Sequence, residues 1–385
     1  MKIITQEREL DKFCKEAENH PFVRIDSEFL RERTYYSKLC LIQIALPNDG
    51  PEDAVLVDPL SPEMNLKPLY RLFKNTSVVK VFHAARQDLE IFWHDAKIFP
   101  TPLFDTQVAA MVCGFGEQVG YETLVRQIIK KDVDKSSRFT DWARRPLTEE
   151  QKIYAISDVT HLREIYSFLK DELERRGREA WVVEETQNLI NPKIYDVVPI
   201  DAWRRIKIRS SSRVYLSYIR ELAAFRELYA QSKNIPRNRV FKDDALLELA
   251  SSKPTNLEAL SKSRLILREA RKGDIAYGIL EAIKTVAVMN PENFPKLPKS
   301  KEKLQVNPAL ADLLRVLLKA KSEESDVAQK MIATVSELDA LAAGERDLPS
   351  LKGWRLKVFG KDALRLCLGE VGLCLNGNKV QLFTL

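Results

Sequence analysis

The stretch FVRIDSEF, residues 22–29, is a short apolar run that ends in two acidic side chains. Its β-branched residues are typical of a strand. Side chains two apart in a strand point to the same face, so Asp26 and Glu28 project side by side. Two carboxylates at this spacing repel each other unless a cation lies between them. On its own, an Asp-x-Glu pattern is more typical of a solvated strand end than of a metal site.

Strand-like and helix-like patterns alternate on both sides of this stretch. Further β-branched runs are LCLIQIAL (39–46), AVLVD (54–58) and VVKVFHA (78–84). Helical patterns cover residues 85–94, 121–130 and 149–175, the last with Thr148 and Glu150/Gln151 at its start. Strands mixed with helices in this way predict a layered α/β domain.

Two more acidic positions lie on predicted helices. Asp88 occurs where the strand VVKVF runs into a helix, a place where function often collects in α/β folds. An Asp in a first helical turn also simply stabilises the helix dipole. Tyr154 and Asp158 are four residues apart and therefore share one helix face. A core tyrosine beside a surface acid would give the same pattern.

The acidic positions share one chemical logic. Phosphodiester hydrolysis places negative charge on the attacking and the leaving oxygen, and two divalent ions ~3.5–4 Å apart can stabilise both. Mg²⁺ prefers hard oxygen ligands and retains several waters, so three or four carboxylates are enough. His and Cys ligands are not needed, and the chain has only four histidines.

From about residue 210 the strand signal fades and helical patterns dominate. The stretches 214–234 and 243–252 have apolar residues at three- and four-residue spacing. PENFPKLPKSKEKL (291–304) is rich in Pro and Lys and is typical of a linker. We therefore expect three domains, at residues 1–195, 210–290 and 305–385, the last two all-α.

Composition favours an ordinary globular protein, with 45% hydrophobic and 30% charged residues. No apolar run reaches the ~18 residues of a membrane span, and the start MKIITQERELDKF does not resemble a signal peptide. Five scattered cysteines favour the cytoplasm.

Net charge is −5 in residues 1–200, +9 in 201–300 and +2 in 301–385. A basic middle segment fits a polyanionic partner and fits a solvated basic surface about equally well.

Three segments together resemble the exonuclease motifs of the DEDD superfamily, tyrosine subgroup. They are RIDSEF (24–29), VFHAARQDLEIF (81–92) and DWARRPLTEEQKIYAISDV (141–159). The last, together with TYYSKLCLIQIA (34–45) and KGWRLKVFG (352–360), is similar to the ribonuclease D family in particular. Residues 219–250 resemble an HRDC domain. The resemblance implies a ribonuclease H-like domain, a mixed sheet flanked by helices, followed by two small all-α HRDC-like domains.

The resemblance also implies roles for the acidic residues. Asp26 would bridge two divalent metal ions, Mg²⁺ or Mn²⁺. Glu28 and Asp158 would complete the nucleophile-side ion, and Asp88 would serve the other. Tyr154 would orient the attacking water. Ser27 stands where the family often has Thr, and His161 stands where it often has an aromatic residue. These departures bear on substrate preference and leave the predicted chemistry unchanged.

Nucleic-acid contacts are expected at a wider set of residues. Each has a bland alternative: a structural hydrogen bond for the histidine, core packing for a tyrosine, and salt bridges or solvated charge for the cations. The set is Tyr35, Tyr36, Lys38, His83, Arg144, Arg145, Lys233, Arg237, Arg239 and Lys242.

We therefore expect a cytoplasmic 3′→5′ exoribonuclease that releases nucleoside 5′-monophosphates from single-stranded 3′ ends, with tRNA precursors as the family's characteristic substrate. It needs no membrane and no obligatory protein partner. A DNA exonuclease of the same superfamily and an inactive RNA-binding relative are the alternatives. Retention of all four carboxylates and Tyr154 counts against the inactive relative.

Overall fold

A computed structural model describes residues 2–48, 50, 52–134, 137, 140–295 and 305–385. These residues form two compact units. The sheet unit holds the described residues of 1–28, 39–191 and 303–385, and the helical unit those of 29–38 and 192–302. Residues 305–385, expected as a third domain, thus pack within the sheet unit. The bounds 1–195, 210–290 and 305–385 themselves stay predictions.

The sheet unit is built on a six-stranded sheet of order β1-β4-β3-β2-β5-β6. Strand β1 is parallel to β4, β3 is antiparallel to β4, and β5 is parallel to both β2 and β6. The predicted mixed sheet is therefore confirmed. The strands are β1 Lys2–Ile4, β2 Phe22–Leu30, β3 Lys38–Ala45, β4 Ala54–Val57, β5 Val79–Phe82 and β6 Leu103–Asp105.

Most of the other described residues are helical, and among them no helix is long and apolar enough to cross a membrane. In the sheet unit the helices are α1 Glu7–Ala17, α2 Lys67–Lys74, α3 Arg86–Ala96, α4 Thr106–Val112, α5 Tyr121–Leu124, α6 Glu149–Thr160, α7 Leu162–Arg176 and α8 Glu179–Leu189. In the helical unit they are α9 Arg213–Lys233, α10 Arg237–Val240, α11 Asp243–Ser252, α12 Leu257–Ser261 and α13 Gly273–Ala287. Near the C-terminus they are α14 Pro308–Ser325, α15 Gln329–Ile332, α16 Val335–Ala342, α17 Gly353–Arg355 and α18 Lys361–Leu368.

Helix α6 begins with a capping box, as its sequence predicts. The Thr148 hydroxyl accepts a hydrogen bond from the Gln151 backbone N–H (3.2 Å), and the Gln151 side chain accepts one from the Thr148 N–H (3.0 Å). The reciprocal bonds satisfy backbone donors that the first helical turn leaves open. They fix the residue at which the helix starts, and so the face on which Tyr154 and Asp158 lie.

The C-terminal residues are anchored to helix α8 through Trp354. Its indole stacks on Trp181 with ring centroids 4.6 Å apart and planes at 12°, and its N–H donates to Glu185 at 2.9 Å. Arg355 donates to the other oxygen of Glu185 at 2.7 Å. Gly353 precedes the pair at φ +53°, and a Cβ there would approach a Glu184 carboxylate oxygen to 2.0 Å. The KGWR segment is therefore a docking motif.

The expectation that residues 305–385 are all-α needs one correction. They end in an antiparallel hairpin of β7 Val371–Asn376 and β8 Lys379–Thr384, in which Leu373 pairs with Leu382. The turn between the strands contains Gly377, whose φ of +60° favours glycine. Gly377 and Asn378 are the two turn residues between runs of alternating apolar residues, and this pattern is a sequence signal for a hairpin.

We expect Trp354→Ala to lower the free energy of unfolding by about 3–5 kcal/mol, the usual cost of truncating a buried tryptophan. The substitution removes a stacked ring that is 3% exposed and leaves Glu185 without one donor. Urea titration followed by circular dichroism measures the change. Leu375→Ala is the matched control, because that side chain is 75% exposed. Equal midpoints for the two variants would show that Trp354 does not dock the C-terminal residues.

Candidate active site

Strand β2 and helix α6 bring three acidic side chains together. Asp26 and Glu28 come from the strand and Asp158 from the helix, and one carboxylate oxygen of each lies within 4.8 Å of the others. All three side chains are half-buried. The convergence follows from the alternation of β2 and from the face of α6 set by its capping box.

Asp88, the fourth predicted carboxylate, is buried and contacts Ser27, the residue between Asp26 and Glu28. It is 5% exposed, lies in the first turn of α3 and accepts a hydrogen bond from the Ser27 hydroxyl. Burial raises the pKa of Asp88 to about 7, while the Ser27 hydrogen bond opposes the rise. Its charge also acts on Asp26. Ser27, noted in the sequence only as a departure from the family, therefore has a defined partner.

Burial and mutual repulsion together make the charged form of Asp26 costly in the absence of a cation. The pKa of Asp26 is raised well above its ordinary value, first by burial and then by the charges of Asp88, Asp158 and Glu28. A set of crowded carboxylate oxygens fits a hard divalent cation such as Mg²⁺ or Mn²⁺, which would remove that repulsion. The residues present therefore fit the metal that the sequence predicts.

A cavity of about 340 Å³ opens over these acids. Asp26 and Asp158 line it together with Tyr154, which is one helical turn from Asp158. The Trp142 ring centroid lies 5.9 Å from that of Tyr154, and the buried Trp142 thereby supports the phenol from behind. Tyr121 also lines the cavity, and its hydroxyl donates to the Ser157 carbonyl of α6 at 2.6 Å. The volume lies within the range of small-ligand pockets and is wide enough for one nucleotide.

Asp105, which the sequence reasoning missed, holds the turn that leads to Asp88. It is 2% exposed and accepts hydrogen bonds from the backbone N–H groups of Ala84 (3.0 Å) and Ala85 (2.9 Å). It also accepts from Gln107 N–H at 2.8 Å, as the N-cap of α4. Ala84 has φ +57°, an uncommon value for alanine, which these bonds stabilise. The sequence signal was an Asp directly before a helix.

His83 lies in the same turn and lines the cavity. Its Nδ1 is 2.9 Å from the Thr106 hydroxyl oxygen, and burial lowers its pKa, which favours the neutral ring. The Thr106 hydroxyl in turn donates to the Phe82 carbonyl at 3.0 Å. The structural hydrogen bond that was the alternative for His83 is therefore present, and its contact with RNA stays a prediction.

Tyr35 and Tyr36 belong to the helical unit. The Tyr35 hydroxyl donates to Glu227, and the backbone N–H groups of both tyrosines donate to the Asn234 side chain at 3.1 and 2.9 Å. Tyr35 also packs against that unit's core. These contacts give Tyr35 an anchoring role. Lys38 begins β3 with an exposed side chain, and its predicted RNA contact is untested.

All hydrogen-bond donors of the Arg145 guanidinium have acceptors within the protein. Its guanidinium donates to Asp58 through two bonds of 2.6 and 2.7 Å, and its other N–H groups bond the carbonyls of Cys40, Trp142 and Arg144. A guanidinium has five N–H groups, and all five are used. These bonds give Arg145 a structural role, and its contact with RNA stays a prediction. The neighbouring Arg144 is exposed and stays a candidate.

The predicted basic cluster of the helical unit is at the surface. Lys233, Arg237, Arg239 and Lys242 are all exposed, from the end of α9 to the start of α11. Arg237 lies 3.6 Å from the buried carboxylate of Glu227. Accessible cations in this arrangement suit phosphate contact, which stays a prediction.

Comparison with protein families gives the class that the geometry suggests. Residues 1–174 match the model described as a 3′-5′ exonuclease, and residues 216–283 match the HRDC domain. The sheet, the acidic cluster and the cavity above it thus define a 3′→5′ exonuclease joined to an HRDC domain.

Individual relatives narrow the class. The chain is 57% identical to ribonuclease D of Jannaschia sp. over 98% of both chains, and 44% identical to that of Granulibacter bethesdensis over 99% of this chain and 96% of the relative. The crystal structure of Escherichia coli RNase D superposes with a TM-score of 0.82 at 27% identity, covering 95% of this chain and 98% of that one. The chain belongs to the ribonuclease D family and is a metal-dependent 3′→5′ exoribonuclease.

We expect Asp26→Asn to raise the melting temperature of the metal-free protein at pH 7 while lowering RNA hydrolysis at least about 100-fold, as loss of a transition-state charge clamp does. The raised pKa of Asp26 means that its charged form is costly in the fold, and Asn removes that cost. Thermal melts in EDTA and in Mn²⁺ measure the first effect. Asp171→Asn, at an exposed position of α7, is the control. A variant that melts lower in EDTA, or that keeps its Mn²⁺-induced stabilisation, would contradict the assignment.

Proposed function

We propose that this exoribonuclease shortens single-stranded 3′ ends of structured RNAs, above all tRNA precursors, and releases nucleoside 5′-monophosphates. The observation that carries the proposal is the cluster of Asp26, Glu28 and Asp158 at a cavity wide enough for one terminal nucleotide. Only an unpaired strand can bring its last phosphodiester to acids placed inside such a cavity.

Two divalent ions, Mg²⁺ or Mn²⁺, complete the proposed site. When bound, they neutralise the charge that develops on the attacking and leaving oxygens. Asp26 would contact both ions, Glu28 and Asp158 one of them, and Asp88 the other. The charge of Asp88 raises the pKa of Asp26, and the Ser27 hydroxyl holds Asp88 in place. Both observations support the assignment of Asp88 to the second ion.

Tyr154 is proposed to hold the attacking water. It lies one helical turn from Asp158 on the cavity wall, and Trp142 limits the motion of its ring. The phenol hydroxyl can donate and accept a hydrogen bond, and its charge is not required. Its contribution is orientation of a water beside the acids rather than proton removal.

Charge supports a polyanionic substrate. Residues 29–38 and 192–302, the range of the helical unit, contain 25 Lys and Arg against 14 Asp and Glu, a net charge of +11. Neutralising phosphates releases condensed counterions and gives binding that weakens with salt. The exposed cluster of Lys233, Arg237, Arg239 and Lys242 is the part proposed to contact the RNA backbone, with Arg144 and Lys38 as further candidates.

Structured RNA is the proposed substrate class because of a relative. Escherichia coli RNase D is described as an exoribonuclease involved in structured RNA processing, and this chain matches it over nearly its whole length.

We also propose that the enzyme works in the cytoplasm. Its five cysteines are free thiols, three of them buried, which fits a reducing compartment.

The test uses a tRNA with a single-stranded 3′ extension, labelled at its 5′ end. In Mn²⁺ we expect a ladder of one-nucleotide steps that stops near the acceptor stem, because the stem cannot enter the cavity. The same RNA with a blocked 3′ hydroxyl should be degraded far more slowly, and the Asp26→Asn variant should leave both intact. Gel electrophoresis resolves the products.

Three outcomes would contradict the proposal. Internal cuts would exclude an exonuclease, and equal rates on the blocked strand would exclude entry from the 3′ end. A matched DNA extension degraded as fast as the RNA would remove the preference for RNA.

A further inference from the structure

A buried arginine shares a strand face with two of the active-site acids. Arg24, Asp26 and Glu28 occupy alternate positions of β2, so their side chains leave the strand on the same side. Arg24 is 1% exposed. Burying a guanidinium this fully is costly unless hydrogen bonds within the protein replace its lost hydration. Its acceptors therefore matter for stability.

The acceptors connect β2 to the end of helix α6. One terminal nitrogen of Arg24 donates to the Thr160 carbonyl at 2.8 Å. The other donates to the carbonyls of Leu46 and Asn48, the latter at 3.2 Å. Thr160 is the last residue of α6 and follows Asp158 by two positions. Arg24 therefore binds the strand that carries two of the acids to the helix that carries the third.

The position of the charge also matters. The last carbonyls of a helix carry partial negative charge, so a cation at Thr160 stabilises the C-terminal end of α6. The same residue shares its strand face with Asp26 and Glu28. Arg24 therefore acts on the acids through the backbone that it joins.

We propose that Arg24 is a positioning residue that sets the distance between Asp26 and Glu28 on β2 and Asp158 on α6, and thereby the affinity of the site for its divalent cation. Arg24 touches neither RNA nor cation, and it acts through the backbone at Thr160. The proposal rests on the proposed metal site.

The chain offers a matched control on the neighbouring strand. Lys80 of β5 is 0% exposed, and its ammonium donates to the Asn75 and Thr101 carbonyls at 2.5 and 2.7 Å. It is likewise a buried cation held by backbone carbonyls. Its partners lie after α2 and before β6, on neither of the two elements that carry the three clustered acids. Replacing it tests the general cost of losing a buried cation.

The experiment compares Arg24→Met and Lys80→Met with the parent protein. Mn²⁺ binding is measured by titration calorimetry and by Mn²⁺-dependent thermal stabilisation, neither of which requires turnover. We expect Arg24→Met to bind Mn²⁺ about tenfold more weakly, as loss of an outer-shell partner usually does. Its kcat should fall while KM for RNA changes less than about twofold, since no substrate contact is lost. Lys80→Met should keep the parental Mn²⁺ affinity whatever its stability.

Parental Mn²⁺ affinity and kcat in Arg24→Met would overturn the proposal, and so would an equal loss of affinity in Lys80→Met. If Arg24→Met does not fold, Arg24→Lys decides. A lysine keeps the charge but not the fork that reaches several carbonyls at once, so we expect affinity below that of the parent, and parental affinity would be contradictory. Absence of RNA hydrolysis by the parent would count against the proposed function alone, because the binding measurements stand without it.

Discussion

Mutual repulsion among carboxylates is the constraint on which this structure depends. Asp26, Glu28 and Asp158 bring oxygen atoms within 4.8 Å of one another, and Asp88 adds its charge. Each group would be more stable in water and apart from the others. A cluster of this kind is destabilising for the metal-free fold and useful only to a molecule that binds a cation there. The residues that bind the cation therefore lower the stability of the metal-free protein.

The surrounding fold can be understood as the means of holding that cluster. Strand β2 is an inner strand of the sheet, between β3 and β5, so the strand that carries Asp26 has a neighbour on each side. The capping box at Thr148 sets the start of α6, and Asp105 holds the turn that leads into α3 and Asp88. Each device uses backbone hydrogen bonds, which are local in the capping box and join segments about 20 residues apart at Asp105. Together these hydrogen bonds stabilise the fold against the repulsion among the clustered carboxylates.

Sequence was sufficient wherever a local period carries the information. The alternation in β2 placed Asp26 beside Glu28, and the four-residue spacing in α6 placed Tyr154 with Asp158. Contacts between distant segments could not be predicted in this way. Three of the five hydrogen bonds of Arg145 go to Cys40 in β3 and to Asp58 after β4, and Tyr35 packs with a helix almost 200 residues later. The β7–β8 hairpin is different, because its Gly-Asn turn is a local sequence signal that the all-α expectation left out.

The most direct test of the account is the anomalous diffraction of crystals grown with Mn²⁺. The account predicts a peak coordinated by oxygens of Asp26, Glu28 and Asp158, and a second peak shared between Asp26 and Asp88 at a distance of ~3.5–4 Å. Carboxylates that stay in place without any anomalous peak between them, or a peak bound elsewhere while these side chains turn apart, would contradict it.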